Sequence, residues 1–358
     1  MLFRSLVIPL KANFYEFEKT IRDEEGLEIT DPSGFNREVG STVNYQLDTT
    51  MPALTADTVD ATYTFKDTMS TALTFGEDVA LTFGTDPTAT TYDDFDEINA
   101  LDGVTLVYNT NGFELTIDYL VIDDYAAGAD VVVNYSAVIN NEALTELGDP
   151  LDNAATLLYP NDPSGEGITR IVPVYTYGFD FDKVDGAGDA LIGAEFGLYA
   201  GTEPTDTSVP MSFLFDDDAN AWYPVPAGTT GAVTTITSTT NNFNFAGLDE
   251  GTYYLKETQA PSSGYNLLAG FVKIIITGIR DAEGDLTAGY TVQYGEKVEG
   301  EYVMVTSNTH SFSVVNSSRT ELPSTGGMGT TLFAILGLGI ILGGCVLLFV
   351  NRKRVFGK

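Results

Sequence analysis

The chain has 358 residues, 36 of them glycine, and its 51 acids against 17 bases give a formal net charge of −34. Four bases and no acid fall in residues 328–358, which leaves −38 over residues 1–327, a charge that repels nucleic acid and anionic membrane and argues against a nucleic-acid partner. The single cysteine, Cys345, excludes an intrachain disulfide, so an exported chain would need another means of stabilisation.

The first eleven residues, MLFRSLVIPLK, hold a short apolar stretch broken by Pro9, too little for the core of a signal peptide. They read as a linker or truncated region, with a signal peptide and an upstream domain expected ahead of residue 1. From about residue 38, short alternating runs are separated by turn signals. VTLVYNTNGFELTIDYLV (104–121) predicts a hairpin turning around Asn111-Gly112, and VVVNYSAVIN (131–140) predicts another strand. ALTEL (143–147) supplies at most one helical turn, and no stretch of residues 1–320 keeps a long 3.6-residue apolar period. The expected fold class is therefore all-β, a tandem of β-sandwiches. A Pro/Gly/Ser-rich break at 160–168 separates a first module (12–172) from a second (173–320).

The acidic runs YDDFDE (92–97) and FDDDAN (215–220) lack the ordered spacing of a calcium loop and read as solvated loops. No metal or cofactor is expected. Residues 328–350 carry no charge and are long enough to span a bilayer as a helix. The basic tail 351–358 then stays in the cytoplasm, and everything before residue 328 lies outside.

Side chains alternate faces along a strand. In YGFDFDK, that alternation sends Lys183 to the side of Tyr177, Phe179 and Phe181. Burying an unpaired ammonium costs several kcal/mol or forces it to neutralise, so the lysine looks misplaced. The anomaly recurs. YEFEKTI aligns Lys19 with Tyr15, Phe17 and Ile21; YTFKD aligns Asp67 with Tyr63 and Phe65; NAATLLY aligns Asn153 with Ala155 and Leu157. In the second module YYLKE aligns Glu257 with Tyr253 and Leu255, and FSVVN aligns Asn316 with Phe312 and Val314. Each module thus offers one lysine, one acid and one asparagine in phase with apolar neighbours.

Two readings of such a triplet stand. One is a buried ion pair beside an amide. The other is chemistry: an apolar interior lowers the lysine's pKa and raises the acid's, so a neutral amine faces a protonated carboxyl. The acid bonds the asparagine carbonyl and moves protons, the amine attacks the amide carbon, ammonia leaves, and an isopeptide remains. Holding the groups in contact supplies the effective molarity that a slow reaction needs.

FDFDKVD…LIGAEFGLY (179–199), GTYYLKETQAPSSGYN (251–266) and VVNSSRTELPSTGG (314–327) together resemble the Cna B-type, SpaA-type prealbumin-like domain of Gram-positive surface proteins. The resemblance implies a Lys183–Asn316 bond with Glu257 as its catalytic acid. VGSTVNYQLDTTMP (39–52), FKDTMSTALTF (65–75), VVVNYSAVIN and DNAATLLYPND (152–162) resemble the isopeptide-forming, immunoglobulin-like D2 domain of fimbrial subunits. That resemblance implies a Lys19–Asn153 bond with Asp67 as catalyst.

ELPSTGG, followed by span and basic tail, is similar to the sortase sorting signal. It implies that Leu322, Pro323, Ser324, Thr325 and Gly326 are bound by a sortase that cleaves between Thr325 and Gly326, linking Thr325 to an amine of peptidoglycan or of another subunit. VIPLK resembles a pilin lysine motif loosely, lacking its tyrosine and inserting Leu10; Lys11 is a candidate acceptor, or else an ordinary linker lysine.

The leading expectation is a structural one: a covalently polymerised fimbrial backbone subunit on a Gram-positive wall, a transient membrane precursor whose partners are sortase, other pilin subunits or peptidoglycan. The alternative is a monomeric wall-anchored adhesin, or an ancillary or basal pilin, that uses the domains as a stalk. The host ligand is not legible. An enzyme is not expected: His310 is the only histidine, the only cysteine lies in the span, and self-crosslinking turns over once.

Overall fold

The computed structural model describes residues 16–30, 35–53, 61–84, 88–120, 127–160, 165–261 and 264–318. Lys11, the sorting motif 322–326, the apolar run 328–350 and the tail 351–358 lie outside them. Among the described residues, no helix is long and apolar enough to cross a membrane.

The described chain is built of strands. In the first half they are β1 (Glu18–Arg22), β2 (Thr42–Thr50), β3 (Thr62–Met69), β4 (Leu73–Phe75), β5 (Ala80–Phe83), β6 (Thr90–Tyr92), β7 (Val104–Asn109), β8 (Gly112–Asp118), β9 (Asp130–Ile139), β10 (Asn153–Leu158) and β11 (Ile168–Ile171). They form two facing sheets. One runs β1-β2-β9-β5-β6 with β4 also on β9, and the other runs β11-β10-β3-β8-β7. Strict alternation produces this arrangement: along β9 every second residue, Val131, Val133, Tyr135, Ala137 and Ile139, is buried while those between are half-exposed.

The second half continues with β12 (Tyr177–Asp185), β13 (Glu195–Ala200), β14 (Ser212–Asp216), β15 (Ala221–Val225), β16 (Ile236–Thr237), β17 (Asn242–Leu248), β18 (Gly251–Gln259), β19 (Phe271–Arg280), β20 (Leu286–Val298), β21 (Glu301–Ser307) and β22 (Ser311–Asn316). Its sheets run β14-β15-β17-β12-β22 and β16-β13-β18-β19-β20-β21. Stacked Phe181, Phe243, Phe179, Phe245 and Phe312 fill the space between them.

Two local readings shift. The hairpin forms, but its two-residue turn is Thr110-Asn111, with Asn109 paired to Gly112. Gly112 is instead the first residue of β8, at φ +144, and a Cβ there would stand 2.3 Å from the Asp67 carbonyl oxygen. The close approach of two backbones, rather than the turn, requires the glycine. Around ALTEL a 3₁₀ turn forms over Asn141–Thr145, capped by the Asn140 side chain. In the acidic runs, Asp94 caps a short helix (Phe95–Asn99) through Asp96 N and Glu97 N, and Asp216 accepts from Asp218 N and Ala219 N.

The two halves touch. Arg37 N donates to Tyr175 O and Val39 N to Gly247 O, both at 2.9 Å, while the Tyr177 hydroxyl donates to Asn36 Oδ1 across the same junction.

Candidate bond-forming sites

Among the described residues only four lysine, arginine, histidine, aspartate or glutamate side chains are buried: Lys19, Asp67, Lys183 and Glu257. Two of the three buried asparagines are Asn153 and Asn316. An interior normally admits such groups only when they are paired or neutralised. The structure sorts them into two clusters, one in each half.

In the first cluster the groups come from both sheets. Lys19 lies on β1, with Tyr45 and Tyr135 on β2 and β9 of the same sheet; Asp67 and Asn153 lie on β3 and β10 opposite. β10 pairs with β3 so that Ala155 faces Asp67 and Asn153 faces Met69, which sets the acid and the amide two residues apart along one face. Lys19 Nζ donates to Asp67 Oδ2 at 2.9 Å and sits 5.0 and 5.6 Å from the ring centres of Tyr45 and Tyr135. The Tyr135 hydroxyl donates to the same Oδ2 at 2.5 Å, and Asn153 Nδ2 donates to the Tyr135 oxygen at 3.3 Å. Asp67 Oδ1 and Asn153 Oδ1 are buried acceptors without a donor. Burial pushes the Lys19 ammonium down to about 8 against the opposing pull of Asp67, and burial raises the Asp67 carboxyl against that of Lys19. Both shifts favour the uncharged pair, and a proton on the carboxyl supplies a donor where the cluster otherwise has two orphaned acceptors.

In the second cluster the lysine and asparagine share a sheet. β12 and β22 run parallel, with Lys183 opposite Val314 and Asp185 opposite Asn316, while Glu257 projects from β18 of the facing sheet. Lys183 Nζ donates to Val314 O at 2.8 Å. Asn316 Nδ2 donates to both carboxylate oxygens of Glu257, at 2.9 and 3.1 Å, and to Asn266 O at 2.9 Å. Leu268 N holds Glu257 Oε2 at 2.8 Å. Asn316 Oδ1 is buried without a donor. Burial lowers the Lys183 ammonium to about 8, with Glu257 and Glu296 pulling the other way.

The acid therefore touches opposite partners in the two clusters: the lysine in the first, the asparagine in the second. In the second the contact falls on the amide nitrogen, the atom that departs as ammonia in an amide exchange, where the sequence had suggested the carbonyl. Sequence reasoning missed Tyr45 and Tyr135. The only available signal was their in-phase placement in VNYQL and VNYSAV, indistinguishable there from ordinary core aromatics.

Parts of the chain are similar to known proteins. Residues 178–288 match the family described as SpaA, a prealbumin-like fold domain, and residues 314–355 match the LPXTG cell wall anchor motif. The trypsin-resistant surface T6 protein of Streptococcus pyogenes serotype M6 is 26% identical over 393 aligned positions, covering 91% of this chain and 67% of that protein. The fold is shared with the group B streptococcus pilus 2b backbone protein (TM-score 0.54, 23% identity, 86% of this chain and 99% of that one). It is also shared with the pilus backbone RrgB of Streptococcus pneumoniae (TM-score 0.55, 17% identity, 85% and 100%). The anchor motif makes this a cell-wall-anchored surface protein.

Proposed function

We propose that this wall-anchored, SpaA-type protein is a structural backbone subunit of sortase-assembled pili whose two modules, 12–172 and 173–320, each close themselves with a lysine–asparagine isopeptide bond. The observation that carries the reading is that every buried lysine and carboxylic acid side chain of the described structure belongs to one of two lysine–acid–asparagine clusters. An ordinary core avoids such groups; a core that converts the lysine into an amide is left with only a carboxyl, which is uncharged while it keeps its proton.

Lys19 and Asn153 form one bond with Asp67 as acid, and Lys183 and Asn316 the other with Glu257. Each bond closes a loop of more than a hundred residues, for which chain entropy alone gives about 5 kcal/mol of stabilisation at 25 °C. With no disulfide available, these bonds suit a filament exposed to shear. A sortase cleaves between Thr325 and Gly326 and passes the Thr325 acyl group to an amine of the next subunit, for which Lys11 is the candidate, or to peptidoglycan. The fold shared with two pilus backbone proteins supports the architecture.

An immunoblot of boiled, detergent-treated wall extract tests the polymer. A ladder of high-mass species, with a cross-linked peptide joining Thr325 to a lysine, is expected. A single band released only by wall hydrolase would make the protein a monomeric anchored one.

A further inference from the structure

The two acids differ by one methylene, and the clusters differ in what fills that gap. Glu257 reaches its asparagine directly, with both carboxylate oxygens on Asn316 Nδ2. Asp67 makes no hydrogen bond to Asn153; its Oδ2 meets Lys19 and the Tyr135 hydroxyl, and that hydroxyl meets Asn153 Nδ2. Tyr135 therefore stands between the acid and the atom that must leave. Its ring is fixed by packing against Tyr45, Phe113 and Phe75, with centroids 5.5, 5.0 and 6.4 Å away.

We infer that Tyr135 is a catalytic residue of the first module, carrying to Asn153 Nδ2 the proton that Asp67 is too short to deliver. The inference rests on the bond-forming reading above and adds a residue to it. From the uncharged pair, the Lys19 lone pair forms the Nζ–Cγ bond to Asn153. As the Cγ–Nδ2 bond breaks, the Tyr135 hydroxyl proton passes to Nδ2 and the Asp67 carboxyl proton passes to the Tyr135 oxygen. The surplus proton on Nζ returns to Asp67. Ammonia departs, and Tyr135 and Asp67 end with the protons they began with. A free tyrosinate is excluded, because burial and the neighbouring Asp67 hold the Tyr135 hydroxyl well above its ordinary range. The two transfers must be concerted, which the contact of both partners with one hydroxyl permits.

The test follows the Lys19–Asn153 cross-linked peptide by mass spectrometry during cell-free synthesis of the full chain in detergent, with the Lys183–Asn316 peptide as an internal clock. Tyr135→Phe keeps the ring and its packing and removes only the hydroxyl. It should slow the first bond by roughly a hundredfold, the scale of general acid catalysis, and leave the second unchanged. Asp67→Glu added to Tyr135→Phe should recover much of the lost rate by restoring the missing methylene. A Tyr135→Phe chain that forms the first bond as fast as wild type overturns the inference, as does a double variant no faster than Tyr135→Phe alone. Absence of the Lys19–Asn153 peptide from the wild-type chain would instead overturn the bond-forming reading itself.

Discussion

The two modules bury the same three chemical groups but arrange them on different frames. In the first, lysine and asparagine come from facing sheets, so a bond between them rivets the sandwich through its core. In the second they come from parallel neighbours, β12 and β22, so a bond staples two strands within one sheet. The position of the acid follows from the frame. Across the sandwich Asp67 meets the lysine and needs a hydroxyl to reach the amide, whereas Glu257, facing the stapled pair from the other sheet, lies on the amide itself. What the two frames share is an oxygen held against the asparagine amide nitrogen, the Tyr135 hydroxyl in the first and the Glu257 carboxylate in the second.

The comparison can be broken most strongly at the acids. Asp67→Ala should abolish the first bond, at about 5 kcal/mol, and strand the Lys19 ammonium in the core, at a further 3–5 or so. Glu257→Ala should abolish the second bond at similar cost, but Lys183 keeps its contact with Val314 O, so the added penalty is smaller. Calorimetry on the two variants should therefore rank Asp67→Ala as the less stable; the reverse order would mean that the first cluster is not the more dependent on its acid.

pH sharpens the contrast between a spent and an unspent lysine. In Asn153→Ala no bond can form and Lys19 keeps its amine. Its folded pKa of about 8 lies below the unfolded value of about 10.4, so the unfolded chain binds more protons across that window and stability rises with pH through it, by roughly 3 kcal/mol. Asp67, with a pKa raised by burial, contributes with the opposite sign: its contribution falls as pH rises through the folded value. The wild-type chain, its lysine converted to an amide, should lack the alkaline rise. Denaturation midpoints from pH 7 to 11 measure the difference, and parallel curves for the two chains would mean that Lys19 is still an amine in the wild type.

A smaller effect is expected at Gly112. Alanine there takes on a positive φ and meets the Asp67 carbonyl, straining β3 by about 1–3 kcal/mol. The first bond should form more slowly while the second keeps its rate, read from the same two cross-linked peptides. Equal slowing would place the effect on folding as a whole.

Much of this was legible in the sequence because a period of two residues is hard to disguise. Phase aligned Lys19, Asp67, Asn153, Lys183, Glu257 and Asn316 with apolar neighbours, the family resemblance helped to single them out, and the structure buries all six. Phase says nothing about which strands become neighbours. The parallel pairing of β12 with β22 joins residues 131 positions apart, Lys183 and Val314, and no local pattern encodes it. Tyr135 was illegible for a related reason. On β9 it shares a face with Val131, Val133, Ala137 and Ile139 and looks like filler, and only the approach of β3 and β10 from the facing sheet gives its hydroxyl two partners. Gly112 was noticed as a turn signal, but its reason is the Asp67 backbone, on a strand more than forty residues away.

The intact mass of the full-length chain tests the central claim most directly. The account predicts a mass lower than that of the sequence by two ammonia molecules, with one restored in Asp67→Ala and one in Glu257→Ala. A wild-type chain at its full sequence mass would show that neither cluster forms its bond.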